Sequence, residues 1–158
     1  MKVEATKSFP LPRQKVWDAL MNFELLGRTL PGVQRMTPIT DEKCELDLKV
    51  LVPAITGRYS GEVEVIEKNP TGSYRLLGNA KGRLGWVRGE ARFQLADEAE
   101  GTKVEAVMDF ATGGALSTVG ARFMEPIARG MLREFFENFE REVAPVGADA
   151  SAQSASAG

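Results

Sequence analysis

The sequence contains no histidine, a single cysteine and no run of 18 apolar residues. The absence of histidine excludes the Ser-His-Asp and Cys-His systems of nucleophilic catalysis, and zinc sites that depend on histidine. The lone Cys44 excludes a disulfide within the chain and a CxxC metal or redox motif. No segment is long and apolar enough for a membrane-spanning helix. The composition therefore argues against the common enzyme classes.

An excess of positive charge is also lacking. The chain has 20 Lys and Arg against 22 Asp and Glu, a net charge of -2, which is not the balance of a nucleic-acid-binding protein. Its first residues have no apolar core of a signal peptide, and an unpaired cysteine is typical of a reducing compartment. We therefore expect a cytoplasmic protein, with peripheral contact to the inner face of the cell membrane considered below.

The length of 158 residues suits one domain, and the end of the chain differs in composition from the rest. Residues 146–158 are mostly Ala, Ser and Gly, which cannot bury a core. We expect a folded domain over 1–145 and a disordered tail over 146–158. The tail has two interpretations, a frayed terminus or a tether to something beyond Gly158.

Hydrophobic periodicity predicts an α+β chain. A first strand over Val3–Phe9 precedes two short helices, one beginning near Arg13 and one over Glu24–Leu30. Strict alternation between Val33 and Thr112 then predicts about six antiparallel strands with one apolar face. Apolar residues at three- and four-residue steps predict one long helix from Leu116 to about Val143. A curved sheet of about seven strands covered by this helix is the helix-grip architecture.

Small residues on the inward face of the sheet predict a cavity. They are Gly61, Gly78, Ala80, Gly89, Ala91 and Ala106. One interpretation is that they leave volume for an apolar ligand, because an unfilled void is costly. The other is that the glycines permit bending or bulges of the strands. We expect the cavity, since several strands contribute and the facing helix is rich in aromatic residues.

The expected walls and mouth of this cavity are apolar, as suits a flat hydrophobic ligand. The mouth is expected near the second helix and the Pro31-Gly32 turn. The predicted ligand-binding residues are Phe23, Leu30, Val50, Tyr59, Gly61, Val63, Tyr74, Leu76, Gly89, Phe93, Met108, Phe110, Phe123, Ile127 and Met131.

A second candidate surface would bind a partner or a membrane. Trp86 follows Gly85 out of the inward register, which indicates either an exposed rim residue or a half-buried packing residue. Arg122 and Arg129 share a helix face with Arg133, but interleaved glutamates favour an ordinary solvated face. No catalytic residue and no metal ligand is predicted, because the carboxylates of Glu62 and Glu64 lie on the outer face of a strand.

Several short motifs resemble CoxG, a family of carbon monoxide dehydrogenase subunits. They are Phe9-Pro10-Leu11-Pro12, Val16-Trp17, Leu30-Pro31-Gly32, Gly57-x-Tyr59-x-Gly61, Gly82-x-x-Gly85, Gly113-Gly114, Gly120 and Phe135-Phe136. The resemblance covers about Val3 to Val143. It implies the START-like (SRPBCC) helix-grip superfamily, whose members include hydrophobic-ligand binders, lipid carriers and polyketide cyclases.

The resemblance also implies a role, that of an accessory protein of the aerobic molybdenum CO dehydrogenase, or of a related molybdenum hydroxylase, associated with its membrane attachment. Such an enzyme must pass electrons to a respiratory quinone. The leading hypothesis is that the protein is no enzyme, carries no metal or covalent cofactor, binds menaquinone and couples the dehydrogenase to the membrane. The quinone head group would lie near Tyr59 or Tyr74. The alternatives are a recruitment module that uses Trp86 and the arginines, a cyclase-type enzyme, and a general lipid carrier.

Overall fold

The computed structural model describes the backbone of residues 1–157 and the side chains of residues 1–143. The elements in chain order are β1 (Lys2–Phe9), α1 (Arg13–Leu20), α2 (Phe23–Thr29), β2 (Val33–Pro38), β3 (Lys43–Val50), β4 (Gly57–Asn69), β5 (Ser73–Gly82), β6 (Gly85–Glu98), β7 (Gly101–Gly113), a 3₁₀ helix (Gly114–Thr118) and α3 (Ala121–Ala157). The disordered tail predicted over 146–158 lies outside the residues whose side chains are described, and it stays a prediction.

The seven strands form one antiparallel sheet in the order β1-β7-β6-β5-β4-β3-β2. Alternation determines which face is covered: on β3, Cys44 and Leu46 are buried, whereas Glu45 and Asp47 are exposed. The three helices, with α3 far the longest, complete the α+β helix-grip fold that the sequence predicts. Among the described residues, no helix has the length and apolar character needed to cross a membrane.

The two short helices occur where the sequence predicts them. Pro12 precedes α1, a position at which proline is tolerated because its missing N–H needs no partner there. α2 begins one residue earlier than predicted, because the side chain of Asn22 accepts a hydrogen bond from the N–H of Leu25 at 3.2 Å and caps the helix. Gly32, at φ +81°, turns the chain into β2.

The prediction of one continuous final helix from Leu116 is wrong. Leu116 lies in the 3₁₀ helix, and α3 begins only at Ala121. Gly120 separates the two at φ +82°, a left-handed conformation that an α-helix cannot include. The apolar period runs across this break, so it does not reveal the interruption.

Two separate groups of buried side chains form the interior. The main core joins α1, α2 and α3 to the sheet and contains the ring of Phe9 against Phe136 and Phe139, at centroid distances of 6.3 and 5.4 Å. The second core lies at the end of the sheet where β3 meets β4 and β5 meets β6. Its members are Val50, Ile55, Tyr59, Ala80, Leu116 and Met124. The candidate site lies between these two cores.

Candidate functional site

The middle of the inward sheet face is only half-buried, although it lies in the centre of the sheet. On the strands β4 to β7, the half-buried inward residues are Val63, Leu76, Gly78, Gly89, Met108 and Phe110. Strand pairing makes them neighbours, since Val63 pairs with Gly78, Gly78 with Gly89, and Gly89 with Phe110. Phe110 packs against both cores and so marks the boundary between them. We call this band of half-buried residues the inner groove.

Helix α3 leaves this groove open because it rests elsewhere. It packs chiefly on the edge strand β1 and on α2 rather than on the central strands. Within its length, Met124 and Leu132 are buried, whereas Ile127 and Met131 are half-buried. The predicted helix residues Ile127 and Met131 thus have accessible surface, which the ligand hypothesis requires of them.

The glycines of the sheet fall into two physical classes. A Cβ at Gly61 would lie 1.8 Å from the carbonyl oxygen of Asn79, and a Cβ at Gly89 would lie 2.4 Å from that of Asp109. These two glycines therefore permit the close approach of neighbouring strands, which is the alternative that the sequence left open.

Gly78 belongs to the other class. A Cβ there would meet only Val63 Cγ1 at 3.7 Å and the carbonyl oxygen of Glu62 at 4.0 Å, which are ordinary contacts. A side chain at position 78 would project into the inner groove. The sequence places Gly78 among the small inward residues but not among the predicted ligand contacts, and the pairing of Gly78 with Gly89 is the signal that could have selected it.

Several predicted wall residues lie inside the two cores instead of on the groove. Val50 and Tyr59 belong to the second core, and Phe23, Tyr74 and Phe93 to the main core. The alanines of the small-residue set are buried as well, so they serve packing. They are Ala80, Ala91 and Ala106. Leu30, at the end of α2, is half-buried and packs against the main core.

The tyrosines are the inward-facing side chains that carry a hydroxyl. The Tyr59 hydroxyl donates a hydrogen bond to the carbonyl oxygen of Ile55 at 2.7 Å. The Tyr74 ring stacks on Phe93 at 4.9 Å and meets Trp17 edge-on at 5.6 Å. Burial raises the pKa of both tyrosines, so both stay neutral hydrogen-bond donors at physiological pH. Because Tyr59 lies in the second core and Tyr74 in the main core, they mark opposite sides of the groove.

The family-like motifs build the end of the sheet that carries the second core. Lys49 N–H donates to the Gly32 carbonyl at 2.8 Å, which holds the Pro31-Gly32 turn beside the end of β3. Gly85 and Gly114 meet across the fold: a Cβ on Gly85 would lie 2.0 Å from the Gly113 carbonyl oxygen, and both have positive φ. These glycines are therefore structural, and the end that they build is the predicted mouth.

The candidate partner residues are at the surface. The Trp86 side chain is 39% exposed, stands beneath the Arg88 guanidinium at 5.1 Å, and occupies the space where a Cβ of Gly113 would lie. Arg122 and Arg129 are exposed on α3. Phe123 differs from the expectation of a wall residue, since it is 63% exposed at the start of α3. The break at Gly120 sets the start of α3 and thereby its orientation.

Sequence reasoning missed Leu51, which is 72% exposed in the β3–β4 loop. It also missed a second concavity of about 490 Å³ on the outer face of β2 to β5. The lining of this outer groove is largely polar and charged, and includes Gln34, Arg35, Asp47, Arg58, Ser60 and Lys81. Such a lining suits water or a polar ligand, whereas the inner groove suits an apolar one.

Comparison with known proteins agrees with the fold. A conserved protein of Geobacillus kaustophilus is similar at 25% identity and a TM-score of 0.86, covering 91% of this chain and 95% of that one. A START superfamily protein of Mycobacterium smegmatis is similar in fold, with 12% identity, a TM-score of 0.73 and coverage of 92% and 98%. No curated protein matches the sequence. Residues 7–144 match the model of the carbon monoxide dehydrogenase family CoxG. The chain therefore belongs to the CoxG family of carbon monoxide dehydrogenase subunits.

Proposed function

We propose that this protein is a non-catalytic accessory protein that binds a respiratory quinone, menaquinone, in the inner groove. In this role it couples an aerobic molybdenum CO dehydrogenase, or a related molybdenum hydroxylase, to the quinone pool of the membrane. The family to which the chain belongs supports the partner, since its description is that of a subunit of CO dehydrogenase.

The observation that carries the proposal is the half-buried band between the two cores. Apolar side chains in the centre of a covered sheet are normally buried completely, because their burial drives folding. Here Val63, Leu76, Met108 and Phe110 keep accessible surface. A flat apolar ligand lying on this band would remove that surface from water, at about 25 cal/mol for each Å².

The head group of the quinone needs a hydrogen-bond donor for its carbonyl oxygens. Tyr59 and Tyr74 are the two candidates, and each is protonated because burial raises its pKa. Tyr59 would have to exchange its bond to Ile55 for one to the ligand. Tyr59→Phe and Tyr74→Phe separate the two placements, because only the variant at the head-group position should weaken menaquinone binding.

The test is uptake of menaquinone by the purified protein, followed by native mass spectrometry and by organic extraction. Gly78→Leu places a side chain in the inner groove, and we expect it to abolish uptake. Asn79→Leu is the matched control, because it adds the same side chain to the next, exposed position on the outer face of the same strand. If wild type takes up no menaquinone, or if both variants bind it equally, quinone binding in the inner groove is refuted.

Recruitment of the dehydrogenase without ligand transport is the second candidate, favoured by the exposure of Trp86. It predicts that the Gly78→Leu protein binds the dehydrogenase as wild type does and supports its membrane association equally well. The quinone hypothesis predicts that Gly78→Leu abolishes electron transfer from the dehydrogenase to menaquinone. Recovery of chemically altered menaquinone after incubation with this protein alone would favour a cyclase-type enzyme instead.

A further inference from the structure

The charges of this chain are unevenly distributed. Three segments, 48–61, 79–89 and 110–124, together contain six Lys or Arg residues and no Asp or Glu. The remainder of the chain therefore holds 14 of the 20 basic residues and all 22 acidic ones. The six are Lys49, Arg58, Lys81, Arg83, Arg88 and Arg122. A chain that is acidic overall thus has three segments that are purely basic.

The fold brings these three segments to one end of the sheet. The first spans the β3–β4 loop, the second the β5–β6 hairpin, and the third the 3₁₀ helix with the start of α3. The N–H of Leu116 bonds to the carbonyl of Leu84 at 2.8 Å and ties the third segment to the second. All six basic side chains are exposed, and within the described part of the chain none of them lies in an ion pair. We call this end the basic end.

Each of the three segments also exposes one large apolar side chain. Leu51 is 72%, Phe123 63% and Trp86 39% exposed. They surround a common centre, because their neighbours Val52, Leu84 and Val119 all pack against the second core. The one other large apolar side chain that is exposed among the described residues is Ile39, at 50%, in the β2–β3 turn at the opposite end of β3.

We propose that the basic end docks on an anionic lipid bilayer, with Leu51, Trp86 and Phe123 inserted below the headgroups and the six basic side chains between them. Apolar side chains that protrude from separate loops, surrounded by unpaired Lys and Arg, match the charge and layering of an anionic bilayer surface. An acidic protein surface is the competing occupant. It is less favoured, because protein interfaces keep charge to the rim and are depleted of lysine at their core.

The inference extends the proposed function, because it names the surface at which a menaquinone would pass between bilayer and groove. The predicted mouth is at the same end, beside Gly32 and the end of β3. Docking itself does not require the ligand. Loss of vesicle binding and loss of menaquinone uptake are therefore separate results, and either can fail alone.

The experiment is flotation of the full chain with vesicles of phosphatidylcholine alone or of phosphatidylcholine mixed with phosphatidylglycerol. We expect binding to the mixed vesicles only, weakened by salt. A triple reversal of Arg83, Arg88 and Arg122 to Glu should lower the partition coefficient at least about a hundredfold, since each basic residue near the surface contributes about fivefold.

The control reverses three basic residues away from the basic end, Lys15, Arg92 and Lys103, and so reaches the same net charge. We expect it to bind far more tightly than the first triple variant. If the two triple variants lose equal affinity, the attraction is one of net charge, and the docking surface is refuted.

The apolar part is tested separately. Phe123→Ser and Leu51→Ser should each weaken binding roughly tenfold, because an inserted apolar side chain leaves the bilayer. Ile39→Ser, on the opposite end, should change nothing. A wild type that ignores phosphatidylglycerol vesicles overturns the proposal. So does a basic end that binds only the purified dehydrogenase, which would assign the surface to an acidic protein. Unchanged unfolding midpoints verify that these exposed substitutions leave the fold intact.

Discussion

Two glycines that pair with each other across β5 and β6 should respond oppositely to alanine. At Gly78 a new Cβ finds only contacts of 3.7 Å or more, so alanine costs nothing in the native state and restricts the unfolded chain. We expect Gly78→Ala to raise the free energy of unfolding by about 0.5 kcal/mol. At Gly89 the same Cβ would lie 2.4 Å from the carbonyl oxygen of Asp109 and 2.7 Å from Phe110 Cβ. We expect Gly89→Ala to lower the free energy of unfolding by about 2 kcal/mol.

Urea unfolding of the three proteins, followed by circular dichroism, measures this difference. With a slope of roughly 2 kcal/mol per molar urea, the midpoints of the two variants should differ by about 1 M. Gly61→Ala belongs with Gly89→Ala, because its Cβ would lie 1.8 Å from the Asn79 carbonyl oxygen. Equal stability of the Gly78 and Gly89 variants would contradict the division of these glycines into one that borders free space and one that permits close strand approach.

Three further predictions concern single contacts. Gly113→Ala should expel the indole of Trp86 from its place over the strand, since the Cβ would lie 2.1 Å from Trp86 Cε2; fluorotryptophan NMR should show one of the two resonances move to a solvent-exposed shift. Arg75 hydrogen bonds hold the pKa of Glu90 below its usual 4.5, so this carboxylate stabilises the fold above that pH and the stabilisation fades as pH falls; Glu90→Gln should therefore be less stable than wild type at pH 7 and should approach it in acid. Burial raises the pKa of Tyr74, so its stabilisation is complete below pH 10 and is lost as pH rises, because the unfolded phenol ionises first; Tyr74→Phe should flatten the alkaline decline in a pH series of unfolding measurements.

The architecture could be predicted from sequence because it depends on local periodicity. The alternation on β3 to β7 determines which residues face inward, and the structure buries Cys44, Leu46, Tyr74 and Phe93 accordingly. The order of elements restricts the sheet to few topologies, since neighbouring strands joined by short turns pair antiparallel. The same periodicity failed at Gly120, because a break of one residue does not change the spacing of the apolar positions.

The site was less predictable because it depends on distances between strands. Gly61, Gly78 and Gly89 look alike in the sequence, and only the position of the neighbouring strand distinguishes them. Phe123 follows the apolar pattern of α3 and is nevertheless exposed, because α3 starts beyond the covered part of the sheet. The basic segments, in contrast, are visible in the sequence. Their meaning depends on the topology, which brings three distant stretches of chain to one end.

The burial of Cys44 has a practical consequence for kinetic experiments. Its side chain is inaccessible, and burial raises the pKa of the thiol, so the native protein should resist alkylating reagents. As the only thiol of the chain, it reports solely on openings that expose β3. Cys44 pairs with Val63 on the floor of the inner groove. The labelling rate of this one sulfur atom therefore provides an intrinsic clock for separation of β3 from β4, and a molecule lying across both strands should slow that clock without any engineered probe.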